Sequence, residues 1–457
     1  MYNIKSGKTI KSYEQDFTKG SLFKQILFYS IPLTLTNLIQ VFFNITDIAV
    51  IGRYAGSLPL ASVGSTSQFL FLFTGLLIGL GGGINVIIAY YIGAKSQKDI
   101  DEAVHSAFVV ALSAGILLGL FGFTFARQTL SMIKTKPELL EGAVSYFSIY
   151  MLGMPGVALY NFGNAVLGAA GDTKRPLYFL TIAGIINIVL NLFFVIVCHL
   201  DCAGVAIASI ISEYTSGILV CILLFRGIAN IKLDFKKLKI VNKQKIFYIL
   251  KIGIPAGLQN AIFAIANTVV QVGVNSFNAV MVAGTAASAN LDNIVYNVMG
   301  AFYTADATFI GQNYGAGNKK RIRNSILISN AYAFTAGLIL SMLLYKFGRQ
   351  ALGIFTNDSA VIDAGMLRLK IMAFSYPIAS FMDNTIAANR GLGKTIVPSI
   401  IVLLGSCLFR IIWVYTIFAY FKTIPSLFLL YIFSWLLTAL AEIIYFIRGY
   451  RHIKAIV

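Results

Sequence analysis

Twelve apolar segments, each long enough to cross a bilayer, fill this chain and leave little room for anything else. They run approximately over 24–51, 61–92, 103–126, 142–168, 176–198, 203–225, 246–277, 281–313, 325–347, 364–390, 397–419 and 424–448. A helix needs about 20 apolar residues to span the hydrocarbon core. Lipid offers no partner to a bare N–H or C=O, so segments of this length must be helices. Of 457 residues, 58 % are hydrophobic and 12 % charged, and mean hydropathy is +0.79. So few charges cannot coat a soluble multidomain enzyme, and so apolar a chain is not disordered. The expected fold class is an all-α integral membrane protein with 12 transmembrane helices.

Charge sets the orientation. The chain holds 36 Lys+Arg against 18 Asp+Glu, a net +18. This excess does not point to nucleic acid, because it lies in the loops between apolar segments. If the N-terminus is cytoplasmic, about 26 of the 36 basic residues fall on cytoplasmic loops, as the positive-inside bias requires. A multi-pass protein of the cytoplasmic (inner) membrane is expected, with both termini inside. The longest gap, 226–245, carries Arg226, Lys232, Lys236, Lys237, Lys239, Lys243 and Lys245. It reads as a basic linker between an N-terminal lobe (1–225) and a C-terminal lobe (246–457). No cleavable signal peptide is evident.

The halves resemble each other. Pro32 recurs as Pro255 and Asn44 as Asn267, both 223 residues later. Gly93-Ala94 recurs as Gly315-Ala316, and the turn Gly171 to Pro176 as Gly393 to Pro398, both at 222. Repeated matches at one offset imply an internal duplication. The expected architecture is therefore two pseudo-symmetric six-helix bundles of like orientation, with sites near mid-depth.

Polar side chains within spans are functional candidates, because a buried carboxylate there costs about 2.5–3.5 kcal/mol on insertion scales. Asn37, Gln40, Asn44 and Asp47 step by 3, 4 and 3 along the first span, on one helix face. Amides alone could serve as interhelical glue, but an aspartate is a costly choice for that role. Asn161 and Asn164 lie in the fourth span, and Asn187 and Asn191 in the fifth at i, i+4. A carboxylate among amide oxygens suits a hard monovalent cation or an exchangeable proton; the residues alone do not choose. The C-terminal half differs. Val270 stands where Asp47 would recur, and Asn260, Asn267 and Gln271 remain. Asp292 and Asp383 are candidates for substrate or proton binding. Arg410, the main basic residue within a span, needs a counter-charge, and Glu442 or Asp383 is the expected partner in a structural ion pair. Glu213 is a further acid, and Asp201 and Asp306 are expected near solvated span ends. Aromatic residues, 13 % of the chain, could line a cavity for a flat organic cation.

Several patterns lead nowhere. Gly391-Leu392-Gly393-Lys394-Thr395 imitates the end of a phosphate-binding loop, but no strand precedes it and the first glycine would be Ala388. Histidines stand only at 105, 199 and 452, and no metal site or catalytic triad is expected. Cys198, Cys202, Cys221 and Cys407 do not form a disulfide pattern. A membrane enzyme is disfavoured for want of a nucleophile–base set, and no ATP-hydrolysing domain is present.

Four stretches together resemble the multidrug and toxic compound extrusion (MATE) family. They are Asp47-Ile48-Ala49-Val50-Ile51-Gly52-Arg53-Tyr54-Ala55-Gly56, Gly168-Ala169-Ala170-Gly171-Asp172-Thr173, Asn187-Ile188-Val189-Leu190-Asn191, and Gly311-Gln312-Asn313-Tyr314-Gly315-Ala316-Gly317. The resemblance implies an alternating-access antiporter that exports small organic cations and drugs in exchange for Na+ or H+. Asp47 matches the family's coupling carboxylate, and Asn187 its fifth-span amide. Asn191 stands where many members carry a second acid, which leans the coupling toward Na+. The implied cation set is Asp47, Asn44, Asn187, Asn191 and Asn161. Candidate substrate residues are Asn37, Gln40, Asn164, Asn260, Asn267, Asp292 and Asp383. No cofactor, metal or nucleic acid is implied, and a monomer in contact with membrane lipid is expected. The alternatives are a lipid-linked oligosaccharide flippase, which would need a more cationic cavity, and a non-antiporting channel or scaffold.

Overall fold

The structure, a computed structural model, describes residues 16–133, 135–228 and 230–453. Most of the N-terminal tail whose charge was counted lies outside these residues. Twelve helical rods account for nearly all of the described chain. They are α1 (Leu22–Ala55), α2 (Ser57–Gly93), α3 (Gln97–Thr124), α4 in two arms (Pro137–Met151 and Met154–Ala169), α5 (Lys174–Val197) and α6 (Asp201–Arg226). The second six are α7 (Lys243–Val274), α8 (Ala279–Gly315), α9 (Lys319–Leu352), α10 (Ser359–Gly391), α11 (Ile396–Phe421) and α12 (Ile424–Arg451).

Among the described residues, nine of these are apolar and long enough to cross a membrane, and the bent α4 pair makes ten. Helices α8 and α10 are as long but more polar: α8 carries Asp292 and Asp306, and α10 carries Arg368, Asp383 and Arg390. The fourth segment departs from the single straight span expected. It breaks after Met151 and turns by 44°, and Pro155, in the first turn of the second arm, has no N–H to continue the ladder. Large apolar side chains such as Phe28 and Phe42 stay exposed on the outer faces, a surface suited to lipid rather than water.

The sequence repeat is built into the turns. Gly171 and Gly393 both adopt positive φ, +89° and +72°, at the equivalent turns before α5 and α11. A side chain would be strained there. At the first turn the backbone N–H groups of Lys174 and Arg175 donate to Asp172, which caps α5. Between the lobes the linker folds onto α3. The backbone N–H of Asp234 donates to His105 Nε2 at 3.1 Å, and Asn242 donates to Glu102 at 2.8 Å.

The lobes meet at one end. A Cβ on Gly93 would lie 1.8 Å from the carbonyl oxygen of Gln312, and one on Gly315 would lie 1.9 Å from that of Tyr90. Only glycine permits so close a crossing of α2 and α8. Further along, Gly79 and Gly83 of α2 press on Gly257 and Gly253 of α7. Tyr29 donates to the carbonyl of Gly168 at 3.1 Å, and Gln312 to that of Ala169 at 2.7 Å. Phe17 stacks on Phe309 at 3.9 Å and donates its N–H to Gln312. Among the described residues, hydrogen bonds between lobes reach no further than Asn37 to the Asn297 carbonyl (3.0 Å) and Asn260 to the Gly75 carbonyl (3.5 Å). Beyond that depth Gln40, Asn44 and Gln271 are exposed and the lobes part.

Candidate functional site

Two polar centres occupy the interior, one per lobe. In the N-lobe, Asn191 donates its amide to both Asp47 and Asn187, the latter at 3.1 Å. Asn191 is fully buried and Asn187 is 5 % exposed. The Asn191 side-chain oxygen has no hydrogen-bond partner among the described residues. A carboxylate and amide oxygens without a protein cation are a donor set for a hard monovalent ion. Local backbone geometry surrounds this node. Helix α1 widens into a π-turn at Ile51–Ala55, one turn past Asp47, and α5 does so at Phe193–Val197, just past Asn191. Such turns break the regular ladder and cluster at functional positions. Tyr146, Tyr150 and Glu213 lie within electrostatic reach of the node.

Other members of the expected cation set lie elsewhere. Asn44 is exposed. Asn161 donates to the Val157 carbonyl of its own helix and packs beside Gly81 of α2. Asn164 is half-buried, and Gln40 is exposed. Asn37 is committed to the inter-lobe bond with α8.

The C-lobe holds a cavity of about 690 Å³, closed on one side by Phe71, Asn85 and Val86 of α2. Asn260, Asn267, Asp292 and Asp383 all line it, as do three arginines, Arg368, Arg390 and Arg410. Asp292 accepts from Arg368 and from the hydroxyl of Tyr376. Arg368 donates again to Ser288 at 2.7 Å, and both charges are nearly sealed from solvent. Arg390 donates to Gln259 at 2.7 Å.

The ion pair expected of Arg410 and Glu442 does not form. Arg410 donates to Asn267 at 3.0 Å and to Ser434 at 3.4 Å. Glu442 accepts instead from Asn389 at 2.8 Å, and its second oxygen is buried without a hydrogen-bond partner among the described residues. Distance along α12 explains this: Glu442 lies two turns beyond Ser434, so it cannot reach the same guanidinium. Asp306 also departs from expectation. It is fully buried rather than solvated, and neither carboxylate oxygen has a hydrogen-bond partner among the described residues. Sequence reasoning passed over Arg368 and Arg390 because they sit near the edges of the tenth apolar segment. Helix α10 extends past that segment at its N-terminal end, and places Arg368 against Asp292.

Comparison with known proteins bears on the fold and the family. The MatE family model matches residues 32–193 and again 255–416, one match per lobe. The "Probable multidrug resistance protein YpnP" of Bacillus subtilis is 29 % identical over 384 residues, covering 84 % of this chain and 85 % of the relative. The "Probable multidrug resistance protein NorM" of Thermotoga maritima is 25 % identical over 419 residues, with 87 % and 86 % covered. Among solved structures, one described as the outward-facing conformation of a multidrug resistance MATE family transporter superposes with a TM-score of 0.89. It is 20 % identical and covers 98 % of this chain and 99 % of that one. The chain belongs to the multidrug and toxic compound extrusion (MATE) family of membrane transporters.

Proposed function

We propose that this protein is a secondary antiporter that exports small organic molecules in exchange for Na+ or H+ at Asp47. The observation that carries the reading is the node in which buried Asn191 joins Asp47 to Asn187, with one amide oxygen unpaired among the described residues. The separate cavity in the other lobe supplies a place for the solute. Loop charge supports cytoplasmic termini. The Gly93–Gly315 closure then faces the cytoplasm and the parted ends face outward, so that rocking of the lobes would alternate access. Return of the cation to Asp47 would drive the cycle. One charge moving through 100 mV supplies about 2.3 kcal/mol, enough for roughly a fifty-fold export gradient.

Drug export is the role that the named relatives support. The coupling ion leans to Na+, because the group bonded to Asp47 is the Asn191 amide rather than a second acid with which to share a proton, and Glu213 acts on Asp47 only through its field. Organic cations fit the C-lobe cavity least well, since three guanidinium groups line it. The same groups favour the flippase alternative to a degree, because a pyrophosphate would suit them.

The test is efflux of a dye from proteoliposomes with Na+ and pH gradients imposed separately, for wild type and Asp47→Asn. Gradient-driven efflux that the substitution abolishes supports the antiporter. Gradient-independent movement of a lipid-linked oligosaccharide, equal in both proteins, would favour the flippase.

A further inference from the structure

The lobes repeat each other in fold but not in the side chains at equivalent buried positions. The two family matches are offset by 223 residues, as are the positions Asn85 and Thr308 that bond across the lobes. At Pro176 and Pro398 the offset is one less. The π-turn Leu403–Leu408 in α11 accommodates the extra residue. Past that turn, Asn187 of the cation node corresponds to Arg410, and Asp47 corresponds to the buried Val270. Where the N-lobe sets a carboxylate beside an amide, the C-lobe sets a guanidinium beside a valine.

Arg410 is 2 % exposed. Its hydrogen bonds run from Nη1 and Nε to the neutral acceptors Asn267 and Ser434. Its Nη2 has no protein acceptor, and no carboxylate lies within ion-pair distance among the described residues. The guanidinium is boxed by Tyr431 at 4.5 Å, Phe263 at 5.6 Å and Trp435 at 5.7 Å from its central carbon to the ring centres. Rings polarise toward a cation but do not neutralise it. Arg368 is matched by Asp292, which leaves Asp383 as the one lining carboxylate for both Arg390 and Arg410. Glu442, buried behind the wall, and Asp383 both lie within electrostatic reach of Arg390, whereas Arg410 has no carboxylate at contact distance among the described residues. A buried charge of this kind is stable only with a partner.

We infer that the C-lobe cavity takes a flat organic anion, with a carboxylate or phosphate on Arg410 and a ring against Tyr431, Phe263 and Trp435. This rests on the reading of the cavity as the solute site. A space of about 690 Å³ holds a drug-sized molecule. The planar guanidinium matches a carboxylate or phosphate through paired N–H donors. An organic cation placed there would face the Arg410 guanidinium at close range. The headgroup of an anionic lipid offers the same chemistry as a free solute, but the ring-lined wall favours a flat molecule.

The probes are two xanthene dyes of nearly one shape and opposite charge, carboxyfluorescein and rhodamine 6G. Binding to the purified full-length protein in neutral detergent is read by fluorescence anisotropy, with no gradient present. Carboxyfluorescein is expected to bind at least tenfold more tightly than rhodamine 6G. Arg410→Gln is expected to weaken carboxyfluorescein at least tenfold without weakening rhodamine 6G. Arg410→Lys is expected to fall between, because it keeps the charge and loses the fork. Retained rhodamine 6G binding reports that the variants are folded; should Arg410→Gln fail this check, Arg410→Lys carries the test. Equal or tighter binding of rhodamine 6G by the wild type would overturn the inference. So would unchanged carboxyfluorescein binding in the folded variants, or its displacement by phosphatidylglycerol in mixed micelles. Binding without gradient-driven transport would instead remove the antiporter reading and leave the anion site standing.

Discussion

Thr308 lies 2.8 Å from the side-chain oxygen of Asn85, to which its hydroxyl donates, and the two residues stand 223 positions apart, the offset of the internal repeat itself. The pair lies close to the pseudo-two-fold axis that relates the lobes. Gly93 and Gly315, 222 positions apart, are counterparts across that axis, and they press on the backbones of Gln312 and Tyr90, which are 222 apart as well. The seal between the lobes is thus made of matched pairs close to the axis. A movement that opens it must break them together.

Ala89 and Gly311 are another such pair, and they offer a lock. A Cβ on Gly311 would lie 3.2 Å from that of Ala89, close to the 3.5–4.5 Å that a disulfide needs. Ala89→Cys with Gly311→Cys, in a background with the exposed Cys198 replaced by Ser, is expected to cross-link on oxidation. Transport should stop and return with dithiothreitol. Undiminished transport by the cross-linked protein would show that the lobes need not part here.

Thr308→Val removes the axial bond at little cost in volume. A hydrogen bond of this kind contributes about 1 kcal/mol, so the closed population should fall roughly fivefold relative to the open one. Gly93→Ala should act in the same direction and more strongly, because its methyl collides with backbone. Spin-label distances across the Gly93–Gly315 end would register both shifts.

Asn191→Asp places a second carboxylate against Asp47. Two such acids titrate as a pair and share a proton. The substitution is expected to move coupling from a Na+ gradient toward a pH gradient, read in proteoliposomes by imposing each alone. Asn191→Leu should abolish coupling to both. If Asn191→Leu couples as the wild type does, the amide has no part in ion binding.

The buried pair Arg368–Asp292 is structural in its energetics. Asp292→Asn leaves Arg368 sealed with neutral partners, at an expected cost of about 3–5 kcal/mol. Arg368→Met with Asp292→Leu should recover most of that loss. Thermal unfolding in detergent measures both. A single variant as stable as the wild type would mean that the pair is neutralised by something else.

How far these features are legible in sequence varies with the interaction involved. Span positions were legible within a few residues, because hydrophobicity sets them locally. The pairing of Asn187 with Asn191 was legible too, since helix periodicity puts the two amides of α5 on one face, and the resemblance to the MATE family implied that Asp47 belongs with them. What failed was inference across helices. The stripe Asn37, Gln40, Asn44 and Asp47 lies on one face of α1, yet that helix leaves the C-lobe for the N-lobe along its length. Its upper residues therefore face different neighbours from Asp47. Arg410 and Glu442 were expected to pair by charge alone, without knowledge of their depth. Arg368 and Arg390 of the C-lobe cavity were missed because they lie near segment ends, where a basic residue ordinarily reaches water.

The central claim is that solute leaves as a cation returns to Asp47. It is tested most directly by following radioactive sodium and solute together in proteoliposomes. The account predicts Na+ entry in fixed ratio to solute efflux in the wild type, or proton entry in that ratio if H+ is the coupling ion. It predicts neither flux in Asp47→Asn, although that variant still binds solute. Solute efflux unaccompanied by cation entry, or coupled flux undiminished in Asp47→Asn, would contradict it.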